Sequence, residues 1–257
     1  MLDSFDYKEP NCKLCEGKDF YYPKADAPLG RIPVSRIIAK LDECYNKNDN
    51  AEAKRLLEYW QNEAFSLKDL QGELSIINEL LGQYRKLNDE KKGLWAVERA
   101  NELIELLDAK NNFSSATIYL NIATTLKAFN QSEKALTFFE KCFSIYLENP
   151  EKSKNLWSGY YNNKALALCD LKRFDDAENH FKLALTHLKG MDNELIDGAI
   201  TYVNLAHLYF VQGRKSDITD SLFVAYNLLN DEKIEKNGYY AFLLSKCAPS
   251  FRQFGYE

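Results

Sequence analysis

The chain has 257 residues, and its 38 acidic against 33 basic side chains leave a net charge of -5. That balance argues against a sequence-independent nucleic-acid binder, which needs a basic surface to displace counterions. Hydrophobic residues make up 46%, glycine (11) and proline (6) are scarce, and no apolar run approaches the roughly 18 residues of a membrane span.

Met1-Leu2-Asp3-Ser4-Phe5-Asp6 has neither the basic nor the apolar stretch of a secretion signal. The six cysteines are scattered except for one pair, which suits a reducing cytoplasm. Residues 1–32 are expected to form an extended segment. Pro10, Pro23, Pro28 and Gly30 break any helix, while Phe5, Tyr7, Phe20, Tyr21 and Tyr22 need cover and are expected to dock on the helical repeats. Cys12-Lys13-Leu14-Cys15 has the spacing of half a structural zinc site. No second pair completes it, so plain reduced cysteines are the other reading.

From Pro33 the pattern is helical. Ile37, Leu41 and Cys44 form one stripe and Ala53, Leu57 and Trp60 a second, with a break at Asn48-Asp49-Asn50. Leu74 to Tyr84 and Leu94 to Leu107 make the next pair around Asn88-Asp89. Three further hairpins are expected at about 116–149, 158–191 and 199–232, joined by polar segments of roughly 6–9 residues. A final helix is expected from residue 237 to near Pro249, within a terminal segment 237–257 that ends in an aromatic tail.

The hairpins repeat about every 41 residues, the mark of stacked units that cannot bury their apolar faces alone. Tyr119-Leu120-Asn121-Ile122-Ala123 aligns with Tyr161-Asn162-Asn163-Lys164-Ala165 and with Tyr202-Val203-Asn204-Leu205-Ala206. A small residue opens most second helices: Ala53, Gly93, Ala135 and Ala177, with Ile218 the exception. A methyl or a hydrogen there lets two axes approach to about 8–10 Å.

Ile122-Ala123, Leu126, Ala135 and Phe139, with Leu205-Ala206, Tyr209 and Gly213, carry a resemblance to the tetratricopeptide repeat over about 34–232. The period is about 41 rather than 34 residues, similar to kinesin light chains and to bacterial peptide-sensing tetratricopeptide domains. The fold so implied is all-α, a right-handed α-solenoid of about five hairpins over residues 33–236 plus a terminal helix.

The resemblance implies that first helices line a concave surface. Asn121, Asn163 and Asn204 share one aligned position there and Asn78 lies within one place of it. Stacked amides could grip an extended peptide backbone, with Arg85, Lys86, Thr124, Lys127, Asn162 and His207 as neighbours that suit an acidic group. The other reading is that each amide only bonds between adjacent helices. No phosphate loop, nucleophile elbow or His-Glu-x-x-His occurs, and Trp60, Trp95 and Trp157 read as inter-hairpin core. The expectation is a cytoplasmic, non-enzymatic scaffold for a protein or peptide segment, away from nucleic acid and membrane. The alternatives are a structural or homo-oligomerising scaffold without a groove ligand, or a regulator that senses zinc or a small molecule through Cys12 and Cys15.

Overall fold

The computed structural model describes residues 29–236 and 238–254. Cys12, Cys15 and the aromatics Phe20, Tyr21 and Tyr22 lie outside the described residues. Among those described there is no strand, and no helix is long and apolar enough to cross a membrane.

The described residues up to Pro150 form one compact unit and those from Glu151 another. The first unit pairs α1 (Val34–Asn46) with α2 (Asn50–Ser66), α3 (Leu70–Lys86) with α4 (Glu90–Leu106), and α5 (Phe113–Ala128) with α6 (Ser132–Glu148). A one-turn helix, α7 (Pro150–Ser153), comes next, where sequence reading expected only a linker. Pro150 opens it at the first helical position, where its missing N–H costs nothing. The second unit pairs α8 (Trp157–Asp170) with α9 (Phe174–Leu188) and α10 (Glu194–Val211) with α11 (Lys215–Leu229), and ends on α12 (Gly238–Gln253). That last helix continues past Pro249, which the sequence had suggested as its end.

One local device makes most of the turns. Asn48, Lys68, Asn88, Asn130 and Lys172 adopt left-handed backbone with φ between 53° and 59°, and Gly213 does so at 73°. The next residue then donates its N–H back to the last turn of the finished helix, as Asp49 does to Cys44 O and Arg173 to Leu168 O, both at 2.9 Å. That same residue is the N-cap of the following helix. Asp49, Asp69 and Asp89 add a side-chain cap, accepting from the N–H groups of Glu52, Gly72 and Lys92. The turn that joins α2 to α3 between hairpins is therefore the same short turn found inside them, not the longer polar segment expected from the sequence.

In three of the hairpins the second helix opens on a buried alanine. Ala53, Ala135 and Ala177 are fully buried, as the spacing requires. Behind them run Leu57 and Ala64 in α2, Phe139, Cys142 and Tyr146 in α6, and Phe181, Ala184 and Leu188 in α9. Successive hairpins also interlock, since α3 packs on α2, α5 on both α3 and α4, and α10 on α9.

Gly93 of α4 shows a close approach to the following hairpin instead. A Cβ built there would lie 2.2 Å from the ring of buried Phe129. Gly93→Ala gains about 1 kcal/mol of helix propensity but overpacks a contact worth roughly 1–3 kcal/mol. A lower melting temperature is expected, and an unchanged or raised one would show that the ring moves aside without cost.

Candidate functional site

The polar side chains singled out by the sequence fall along the first helices. All five asparagines are buried: Asn78, Asn121, Asn162, Asn163 and Asn204 are between 1% and 7% exposed. In the first unit the Asn121 amide donates to Asn78 Oδ1 at 2.9 Å, tying α5 to α3. In the second the Asn204 amide donates to Asn162 Oδ1 at 3.1 Å, tying α10 to α8. Thr201 Oγ1 adds a longer bond to the same oxygen at 3.4 Å. Asn163, the residue aligned with Asn204, turns back instead and donates to Gly159 O at 3.0 Å. The bonding register is thus one residue away from the sequence alignment. One helix position is about 100° of rotation, and here the neighbour faces the partner helix.

Sequence reading expected these amides to open onto a groove; burial and pairing correct that orientation. Each pair bridges adjacent first helices.

The more accessible candidates sit one to two turns further on. Arg85, Thr124, Lys127 and His207 are half-buried and Lys86 is exposed. Arg85 Nη1 donates to Thr124 Oγ1, bringing the last turn of α3 against α5. The Lys86 ammonium lies 4.5 Å from the centroid of the Tyr45 ring, a cation–π contact that ties this turn to α1. In the second unit His207 Nε2 lies 3.0 Å from Ser250 Oγ, and burial pulls its pKa down to about 4.

Several polar groups that the sequence did not single out also organise the surface. Buried Glu73 takes a bidentate pair from Arg99, at 2.8 and 2.7 Å, and a third bond from Gln61 at 3.0 Å. A fully buried carboxylate needs such pairing and hydrogen bonding to offset its desolvation. A second arrangement occurs once in each unit. Glu58 of α2 accepts from Tyr84 Oη at 3.1 Å and from Lys92 at 2.6 Å. Glu178 of α9 accepts from Tyr209 Oη at 3.1 Å and from Arg214 at 2.6 Å. Each clasp joins a second helix to both helices of the next hairpin. Burial alone would raise the Glu178 pKa, but the bonds from Lys182, Arg214 and Tyr209 outweigh it and hold the carboxyl at about 2. A tyrosine near the end of a first helix is the sequence signal for this clasp; the glutamate partner has none, because it stands one turn apart in the two units.

The aromatic expectation needs revision in part. Trp95 is 41% exposed, and Trp157 is half-buried, stacked on Tyr161 at 5.5 Å between ring centroids. His187 also stacks on Tyr161, at 5.4 Å, and lies 6.1 Å from Trp157, so the three rings cluster together, and His180 meets the Tyr161 edge at 5.7 Å. The two histidines, seven positions apart, are therefore joined by a tyrosine. Among the described residues no three His, Cys, Asp or Glu side chains stand where they could hold a metal ion. Cys247 is fully buried and burial pushes its thiol up to about 12, which makes it a poor metal ligand.

Two family profiles described as tetratricopeptide repeat match the chain, at residues 116–149 and 157–186. These are the α5/α6 and α8/α9 hairpins. No curated protein sequence matches. Among 24 matching solved chains is BtubC (BKLC) from P. vanneervenii, similar over 88% of this chain and 86% of its own, with 19% identity and a TM-score of 0.52. At that identity the likeness concerns the fold.

The pairs make a stability prediction. Asn204→Ala removes the shorter of the two bonds to Asn162 Oδ1 in a buried seam, which should cost about 1–2 kcal/mol in denaturant unfolding; an amide that served only a ligand would leave stability unchanged. A second prediction concerns Asp197, 7% exposed in α10. Burial raises its carboxyl to about 7, against the opposing hydrogen bond from Asn193. The native state therefore keeps a proton that the unfolded state has lost, and stability should rise as the pH falls from about 7 to about 4. Asp197→Asn should stabilise by on the order of 1–3 kcal/mol at pH 8 and by progressively less toward pH 4. A stability difference independent of pH would refute the assignment.

Proposed function

We propose that this tetratricopeptide-repeat protein is a non-enzymatic interaction scaffold that holds an extended, acidic peptide segment of a partner along the first helices α3 and α5. Tetratricopeptide repeats are protein-interaction scaffolds, and two of them are matched in this chain. The observation that carries the finer reading is the clustering of Arg85, Lys86 and Lys127 on the last turns of α3 and α5, with Arg85 bonded to Thr124 between them. Helix C-termini are the negative ends of their dipoles, so cations there stabilise the helices. The same cations also offer charge-assisted bonds to a carboxylate, roughly twice as strong as neutral ones.

In this reading the asparagine pairs act beneath the ligand. They set the spacing of adjacent first helices, and the ligand meets the more accessible residues one to two turns away. In the second unit the corresponding turn carries His207. A buried seam under an accessible polar strip keeps the strip's geometry the same with and without ligand, which lowers the ordering cost of binding.

The test is a titration of fluorescent peptides drawn from an unbiased library. Acidic sequences should be enriched, and Arg85→Glu or Lys127→Glu should weaken the best of them by about tenfold or more, equivalent to about 1.4 kcal/mol. Both variants should keep the wild-type melting temperature within a few degrees. Enrichment without acidic preference, or affinities indifferent to both reversals, would overturn the proposal.

A further inference from the structure

Residues 29–33 cross the turn between α2 and α3 before α1 begins. Leu29 donates its N–H to Leu67 O at 2.8 Å, and Ile32 donates to Asp69 Oδ2 at 2.9 Å. Asp69 Oδ1 accepts from the Gly72 N–H at 3.0 Å. Both oxygens of this buried carboxylate are therefore taken up by main-chain donors. Gly72 lets the crossing come so close, because a Cβ there would run into Asp69 and lie 2.7 Å from Ile32 Cγ1.

Beside the crossing lies a cavity of about 330 Å³, at the lower end of the roughly 300–1,000 Å³ of small-molecule pockets. Gln71 and Ser75 line it as buried polar side chains, while Arg31, Ser35 and Arg36 line it as exposed ones. Elsewhere Arg55, Arg99, Arg173 and Arg214 are each paired with a carboxylate. Among the described residues neither the Arg31 nor the Arg36 guanidinium has an ion-pair or hydrogen-bond partner. The first turn of α1 carries no acidic residue to neutralise them, and the start of a helix adds to the positive charge. The carboxylate on the wall, Asp69, is turned into its two main-chain donors. The cavity thus combines buried polar groups with two cations that nothing in their surroundings balances.

We propose that this cavity binds a small phosphate monoester, with Arg31 and Arg36 holding the phosphate. A guanidinium presents paired N–H donors that match phosphate oxygens. The dianion of a monoester balances two such groups, where a single carboxylate would leave one positive charge over. The Ser35 hydroxyl can donate to a further oxygen, and the Gln71 amide offers a donor and an acceptor to the organic part of the ester. An occupied cavity would tie the crossing, α1 and α3 together, and so stabilise the first hairpin by mass action. The site stands apart from the cationic strip, which begins at the far end of the 17-residue α3, about 25 Å away along the helix.

The experiment titrates glycerol 3-phosphate into the full chain by calorimetry and follows the melting temperature alongside. Saturation with a dissociation constant below about 1 mM is expected, together with a raised melting temperature, and glycerol alone should do neither. Arg31→Gln and Arg36→Gln should each weaken binding by about tenfold or more. Both side chains are exposed, so the unliganded variants should melt as the wild type does. Arg55→Gln, away from the cavity, should bind normally. So should Arg85→Glu, which separates failure here from failure of the acidic-peptide reading above. No saturation by about 10 mM, or equal affinity in wild type and the Arg31→Gln/Arg36→Gln double variant, overturns the proposal. So does a melting temperature raised equally by sodium chloride at the same ionic strength, which would reduce the effect to screening. Inorganic phosphate that binds as tightly as the ester would also overturn it, since the buried polar groups would then play no part.

Discussion

Close approach of two helices at a small residue is the constraint on which the rest depends. Ala53, Ala135 and Ala177 are fully buried, and Gly93 of α4 leaves room for the Phe129 ring of the following hairpin and nothing more. Because the axes can come together there, the larger side chains behind them interdigitate, and Phe139, Tyr146 and Phe181 become completely enclosed. Each hairpin then presents a new apolar surface that only the next hairpin can cover. The short left-handed turns serve the same end. A residue such as Asn48 or Lys172 reverses the chain at once, and the next residue starts the return helix already capped.

Polar groups are confined to seams where they can be satisfied. Buried asparagines pair across first helices, Glu73 is held by Arg99 and Gln61, and Glu58 and Glu178 clasp the following hairpin. An unpaired amide or carboxylate in such a place would cost more than its bond contributes, because desolvation falls on the group whether or not a partner is present. The seams therefore specify register as much as they add stability: a hairpin displaced by one residue would bury the amides without partners. Asp197 is the least compensated of these groups, and the consequence is a raised pKa rather than a buried charge.

Two kinds of surface remain for partners. One is polar, where cations gather on the last turns of α3 and α5; the other is apolar, the groove walled by Tyr226, Leu229, Leu244 and Phe251 between α11 and α12. They differ in what they would read. A charged strip steers association and is weakened by salt. An apolar slot demands a matching side-chain pattern and gains from the water it releases. A repeat protein carries both naturally, because its inner helices are alike and its terminal ones are not.

Much of this was legible in the order of residues. The period, the hairpins, the break at Lys172-Arg173 and the small residues at the crossings come from helical spacing and turn chemistry, which act within a few residues of chain. The orientation of the asparagines did not. Periodicity aligns Asn163 with Asn121 and Asn204, yet a rotation of about 100° per residue turns Asn162 toward the neighbouring helix and Asn163 back on its own. The glutamate clasps and the open groove beside α12 were hidden for the same reason. Sequence by itself determined which helices form and in what order they pair, because that is local; only the tertiary structure decided which polar atoms meet across hairpins and which face is left uncovered, because those depend on the rotation and spacing of helices some forty residues apart.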